Sequence, residues 1–194
     1  GSQRTAVERG QTLDDLGGLR PDVLIAENLS TWQVTEPQNQ VMNHLRTSLA
    51  HPGTISIPSR ALNCCQLAFA DFTFFETVEL TTHFFEFSGI RAAREMSRPT
   101  LFSTFDYATT NEVSVDHELT TVAWSSGTVN SLRLTSPLEV SAGNLFSGSD
   151  SLMPPVVVPL VKSLTVRAGD ELKVRIAYQT NSRWEDVRCE ARLA

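Results

Sequence analysis

No apolar run in this chain approaches the roughly 18 consecutive residues that a membrane-spanning helix requires, so neither a helical span nor a membrane partner is expected. The opening stretch GSQRTAVERGQTLDD is polar throughout and lacks the apolar segment of a signal peptide. Basic residues are sparse as well. Sixteen Lys and Arg stand against 22 Asp and Glu, giving a formal net charge of −6, and they are scattered instead of forming a stripe. A phosphate-backbone binder needs such a stripe, so no nucleic-acid partner is expected.

Cysteine is equally scarce. Cys64 and Cys65 are adjacent and would point to opposite faces of a strand, which leaves no framework of paired bridges with Cys189. The expectation is three reduced, buried thiols in a cytoplasmic protein. His44, His51, His83 and His117 show no zinc-type spacing with the cysteines or each other, so no metal is expected. Internal repeats and low-complexity tracts are absent too.

What is present is enough apolar material for a core: 194 residues, 41% of them hydrophobic. The first quarter reads as α/β. TAVERG (5–10) is a short strand candidate and TLDDLGGLRP (12–21) a loop. DVLIA (22–26) is a continuous apolar run of the kind found in a parallel strand buried on both faces. A helix follows, with Pro37 suited to its first helical position, Thr35 or Glu36 to its cap, and Val41, Leu45 and Leu49 forming an apolar stripe. HPG (51–53) ends it, and TISIPS (54–59) is the next strand, which implies a parallel crossover.

From Ala61 onward the texture turns to β-rich segments separated by SSGT, SAGN and RAGDE, as expected of an antiparallel sheet closing into a sandwich or barrel. Alternation is cleanest in LTVRAGDELKVRIAY, where Leu164 and Val166 precede a turn at 168–170 and Leu172, Val174, Ile176 and Tyr178 follow it, which predicts a hairpin. SGIRAAREMSRP (88–99) is the one helical candidate in this part.

The order of these pieces, with Glu27 and Glu36 enclosing eight residues after the first parallel strand, resembles the protein arginine methyltransferases and their bacterial relatives. DVLIAENLSTWQVTE resembles the family's double-glutamate loop, LAHPGTISIPSRA its following segment, and SLTVRAGDELKVRI its late barrel strands. The resemblance implies an α+β chain. Residues 1–60 would be the end of a Rossmann-like methyltransferase core, and residues 61–194 a substrate-binding β-barrel. It implies S-adenosyl-L-methionine as cofactor, Glu27 and Glu36 as catalytic residues, and Asn28 and Trp32 as part of the acceptor pocket. A guanidinium is a planar fork of donors, so two carboxylates can hold it and aim one nitrogen, and such positioning carries most of a methyl transfer.

The chain also departs from the family pattern. NLSTW (28–32) stands where Met-Gly-Tyr is common, and no Thr-His-Trp occurs near SGSDSLMPPVVVPL (147–160). The 88–99 segment is short for the arm through which family members dimerise, although a homodimer stays among the partners the resemblance raises. Most importantly, no Gly-x-Gly-x-Gly turn exists, and Gly17-Gly18 is isolated. In a doubly wound sheet of order 3-2-1-4-5, losing strands 1 and 2 would leave DVLIA with an unpaired edge. A preceding segment, a second chain or a rearranged N-terminal third is therefore expected to complete the sheet.

Three functions stay open on this sequence. One is the acceptor-binding part of a methyltransferase acting on a guanidinium or amine nitrogen. The second is a non-catalytic barrel scaffold carrying a methyltransferase remnant. The third is an enzyme with a small-molecule amine or hydroxyl acceptor.

Overall fold

The computed structural model of the chain describes residues 18, 20–74, 77–87, 92–147 and 153–194. The strand candidate at 5–10 and most of the loop at 12–21 lie outside the described residues.

β1 (Val23–Ile25) pairs in parallel with β2 (Ile55–Ile57), Leu24 standing opposite Ser56, and α1 (Gln38–Ser48) connects them. This is the expected strand–helix–strand order with the expected parallel pairing. The expected burial of β1 on both faces is corrected. Leu24 faces the core, whereas Val23 is 44% and Ile25 73% exposed, with Ile55 at 59% on the neighbouring strand. β1 and β2 form a sheet of their own, so among the described residues no strand pairs with their outer edges.

α1 also differs from its expected form. Pro37 is the N-cap, its carbonyl accepting from the Val41 N–H at 2.9 Å, and no side chain caps the helix. Its buried face is Gln38, Asn39 and Met42, while Val41 and Leu45 are only half-buried. Amides dock the helix. Asn43 Nδ2 donates to the Asn111 carbonyl at 2.8 Å while Asn43 Oδ1 accepts from the Asn111 N–H at 2.7 Å, and Gln40 Nε2 donates to the Thr180 carbonyl at 3.0 Å.

The remaining strands are β3 (Arg60–Phe69), β4 (Thr73–Phe74), β5 (Val78–Glu79), β6 (Phe84–Phe85), β7 (Arg94–Glu95), β8 (Thr100–Asp106), β9 (Ser114–Val122), β10 (Gly127–Thr135), β11 (Leu138–Ser141), β12 (Asn144–Phe146), β13 (Val156–Val166), β14 (Glu171–Gln179) and β15 (Arg188–Leu193). One sheet runs β12-β11-β3-β10-β13-β6, with β7 and β8 also paired to β3, and a second runs β15-β14-β9. Their pairings are antiparallel, and β15 lies alongside β13, so the two curl into a half-barrel. Leu132 and Leu134 of one sheet and Leu172, Val174 and Ile176 of the other are fully buried in the shared core.

The 164–178 hairpin does not form. β14 pairs with β9 and β15, and β13 with β10 and β6. The turn itself exists: Asp170 N–H donates to the Arg167 carbonyl at 3.1 Å, and Gly169 sits at φ 93°. It carries the chain from one sheet to the other. Ala123 locks that corner, donating to the Asp170 carbonyl at 2.9 Å and accepting from the Gly169 N–H at 2.8 Å. Alternation identified the inward face of β14, which every partner arrangement requires, and so could not identify the partner.

The expected helix at 88–99 is corrected for its described part. Arg94–Glu95 is a strand on β3, Met96 N–H donates to the Leu67 carbonyl at 2.7 Å, and Ser97 bridges to Ala123; residues 88–91 lie outside the described residues. All three cysteines are free, and burial pushes the Cys65 thiol up to about 12. No helix among the described residues is long and apolar enough to cross a membrane.

Candidate functional site

The loop from Ala26 to Pro37 joins β1 to α1 and carries both glutamates. The Ala26 N–H extends the parallel ladder to the Ile57 carbonyl at 3.1 Å, and Glu27 follows as the chain leaves the sheet. Gln38, fully buried at the start of α1, reaches back across the loop. Its Nε2 donates to the Ala26 carbonyl and its Oε1 accepts from the Asn28 N–H, both at 3.0 Å. One amide thus grips the backbone on either side of Glu27.

Ser30 does the same for the far end. Its Oγ accepts from the N–H groups of Thr35 and Glu36, each at 3.2 Å, while its own N–H donates to Gln33 Oε1 at 3.3 Å. Between these two grips the chain makes a 3₁₀ turn, Thr31–Gln33, in which Trp32 and Gln33 adopt φ of 58° and 55°. Such left-handed backbone costs a non-glycine residue about 1–2 kcal/mol, so the surroundings must hold it in place.

They do so through the half-barrel. The Trp32 N–H donates to Ser136 Oγ at 2.7 Å, Ser136 Oγ donates to Asn63 Oδ1 at 2.9 Å, and Asn63 Nδ2 donates to Ser103 Oγ at 3.0 Å. The indole Nε1 donates to the Thr135 carbonyl at 3.0 Å, and Thr31 Oγ1 to the Pro154 carbonyl at 2.8 Å. The carbonyls of Gln33 and Val34 accept from the N–H groups of Asn181 and Ser182. Three separate parts of the half-barrel therefore anchor the loop.

Trp32, expected on a pocket wall, is 0% exposed. Its ring stacks on Phe102 with centroids 5.0 Å apart and lies 5.9 Å from Tyr178, so it is core and gives the loop its anchor. Asn28 and Glu27 are exposed and Glu36 is half-buried. Among the described residues no hydrogen bond or ion pair engages either glutamate's carboxylate.

Glu27 borders a cavity of ≈ 290 Å³ between the parallel pair and the half-barrel. The other lining residues are Ile25, Ala26, Leu29, Ile57, Pro58, Leu138, Val140, Phe146 and Met153, all apolar. Glu36 is not in the lining.

No protein-family model matches the chain. An uncharacterized protein of Methanocaldococcus jannaschii is 25% identical over 171 residues, covering 87% of this chain and 61% of its own length. Among solved structures the chain is similar to one from the Trypanosoma brucei PRMT1 enzyme–prozyme heterotetrameric complex with AdoHcy, with a TM-score of 0.68 and 15% identity over 82% of this chain and 58% of that one. The likeness is one of fold. In both comparisons the chain spans about six-tenths of the other protein's length.

The sequence reading did not single out Gln38, Ser30, Ser136 or Asn63. A buried glutamine just after a helix-starting proline carries no periodic signal, and Ser136 and Asn63 meet the loop only through tertiary contacts. The cavity residues of β11 and β12 were legible as strand residues, but their convergence on Glu27 was not.

Proposed function

We propose that this chain is the acceptor-binding portion of an S-adenosyl-L-methionine-dependent methyltransferase, in which Glu27 and Glu36 hold a cationic nitrogen. The observation that carries this reading is the conjunction of a methyltransferase-like fold with a glutamate loop fixed at both ends and free of internal partners at its carboxylates. On this reading residues 1–60 belong to the cofactor-side core and residues 61–194 form the acceptor-side barrel. The carboxylates accept the donors of a guanidinium or ammonium and set its approach, while Asn28 lies beside them at the exposed end of the loop.

The described residues do not fit a complete cofactor cradle. Their parallel sheet has two strands, and the exposed side chains on it, Val23, Ile25 and Ile55, are all apolar. No step through the cofactor is assigned to them. An apolar face next to an unpaired edge instead supports completion of the sheet by a further segment or a second chain, this one's copy included. The same observation favours a second reading, a non-catalytic binding module.

Calorimetry with S-adenosylhomocysteine separates the two readings, using this chain and the chain extended through whatever its gene encodes upstream. The enzyme reading expects binding by the extended protein, and no binding by either form would remove it. In the binding form, Glu27→Gln and Glu36→Gln should each abolish methylation of a guanidinium and only weaken transfer to a hydroxyl. Full activity in both variants would refute the role of the glutamates.

A further inference from the structure

We propose that the cavity beside Glu27 takes a small amphiphilic amine, with an apolar body in the cavity and its ammonium on the Glu27 carboxylate. This rests on the acceptor-site reading above for Glu27 only, and narrows the acceptor at that carboxylate to a chemical class that does not require Glu36. A polypeptide arginine would bring a long polar backbone and a guanidinium that both glutamates must grip. The cavity offers that ligand little. Every lining residue except Glu27 is apolar, and Glu36 stands outside the lining.

Three features define the occupant. The volume of ≈ 290 Å³ lies just below the roughly 300–1,000 Å³ typical of small-molecule pockets, which suits a single ring or a short branched chain. The wall is built from Leu29, Leu138, Val140, Phe146 and Met153, a surface that rewards apolar contact and supplies no hydrogen-bond partner to a polar body. The one charge is negative, and Glu27 has no partner among the described residues. A carboxylate at the edge of an apolar cavity complements a cation carried at the end of an apolar body.

The test is equilibrium binding to this chain of three probes: 4-phenylbutylamine, its uncharged isostere 4-phenylbutanol, and methylguanidine, which has the charge without the body. The expected order is amine tightest, alcohol roughly threefold to fivefold weaker, and methylguanidine weakest by far. Glu27→Gln should bring the amine down to the alcohol and leave the alcohol unchanged, and Val140→Phe should weaken both by filling the cavity. Equal binding of amine and alcohol would overturn the proposal by showing a purely apolar site. So would tighter binding of methylguanidine than of the amine, although that result would leave the acceptor-site reading intact. Absence of binding by all three overturns the amphiphile proposal, whereas the acceptor-site reading stands or falls separately on the calorimetry and glutamate variants above.

Discussion

Gln38→Leu is the sharpest perturbation of the loop that carries Glu27. Leucine keeps most of the side-chain volume at a fully buried position and removes both hydrogen bonds, to the Ala26 carbonyl and from the Asn28 N–H. Each such bond contributes about 1 kcal/mol net, and a buried group left without a partner costs about 1–3 kcal/mol. Ala26 is buried, so its carbonyl loses its amide donor in a place water does not easily reach, whereas Asn28 is exposed and its N–H can be hydrated. The greater hydrophobicity of leucine returns part of this. A net destabilisation of about 2–3 kcal/mol remains, read as a lower urea midpoint at unchanged slope. A second readout localises the effect. The Asn28 amide should exchange with deuterium much faster in the variant, by more than the global loss of stability accounts for, while amides of β14 change only with that global loss. A variant within 0.5 kcal/mol of the parent, with Asn28 exchange unaltered, would refute the claim that Gln38 fixes the backbone at Glu27.

Two further perturbations test the packing of the half-barrel. Arg133 holds Glu86 through Nε at 2.6 Å and Gln66 through Nη1 at 2.9 Å, with the Glu86 side chain only 8% exposed. Arg133→Met leaves that buried charge with the Ala93 N–H alone, at 2.7 Å, and should cost about 3 kcal/mol in chemical denaturation, with much of the loss recovered in Arg133→Met/Glu86→Gln; a double variant no better than the single would deny the pairing. Burial raises Cys65 from an ordinary 9.0 to about 12, so the folded state keeps a neutral thiol where the unfolded chain ionises. Its contribution is fully present below pH 9 and is lost as pH rises toward 12, by up to about 1.4 kcal/mol per pH unit. Cys65→Ala should show a shallower decline of stability over that window, and parallel curves would contradict it.

The strands and the parallel pair were legible because their signal is local. Leu172, Val174, Ile176 and Tyr178 alternate with polar residues, and all four are buried. Pairing is not local. Glu171 finds Val122 and Leu172 finds Thr121 from fifty residues away, although a favourable turn joins β14 to β13. The helix shows a different limit. Its apolar stripe misses much of its buried face because amides do the docking: Gln38, Asn39, Gln40 and Asn43 meet backbone groups of the half-barrel and the glutamate loop, and those partners have no pattern in the sequence.

The spacing of the two glutamates can be understood from the same contacts. Glu27 stands beside backbone that Gln38 holds, and Glu36 has its N–H on Ser30, so the backbone at each glutamate is held by a different side chain. The residues between them make the turn at Trp32, whose left-handed backbone is held by Ser136 and whose ring fills the space against Phe102. Trp32 is thus a core residue that fixes the course of the loop between the two glutamates. A loop pinned at both ends and strained in its middle keeps the two glutamates apart without a ligand, and on the proposed reading this preorganisation lowers the ordering cost of binding a cationic nitrogen.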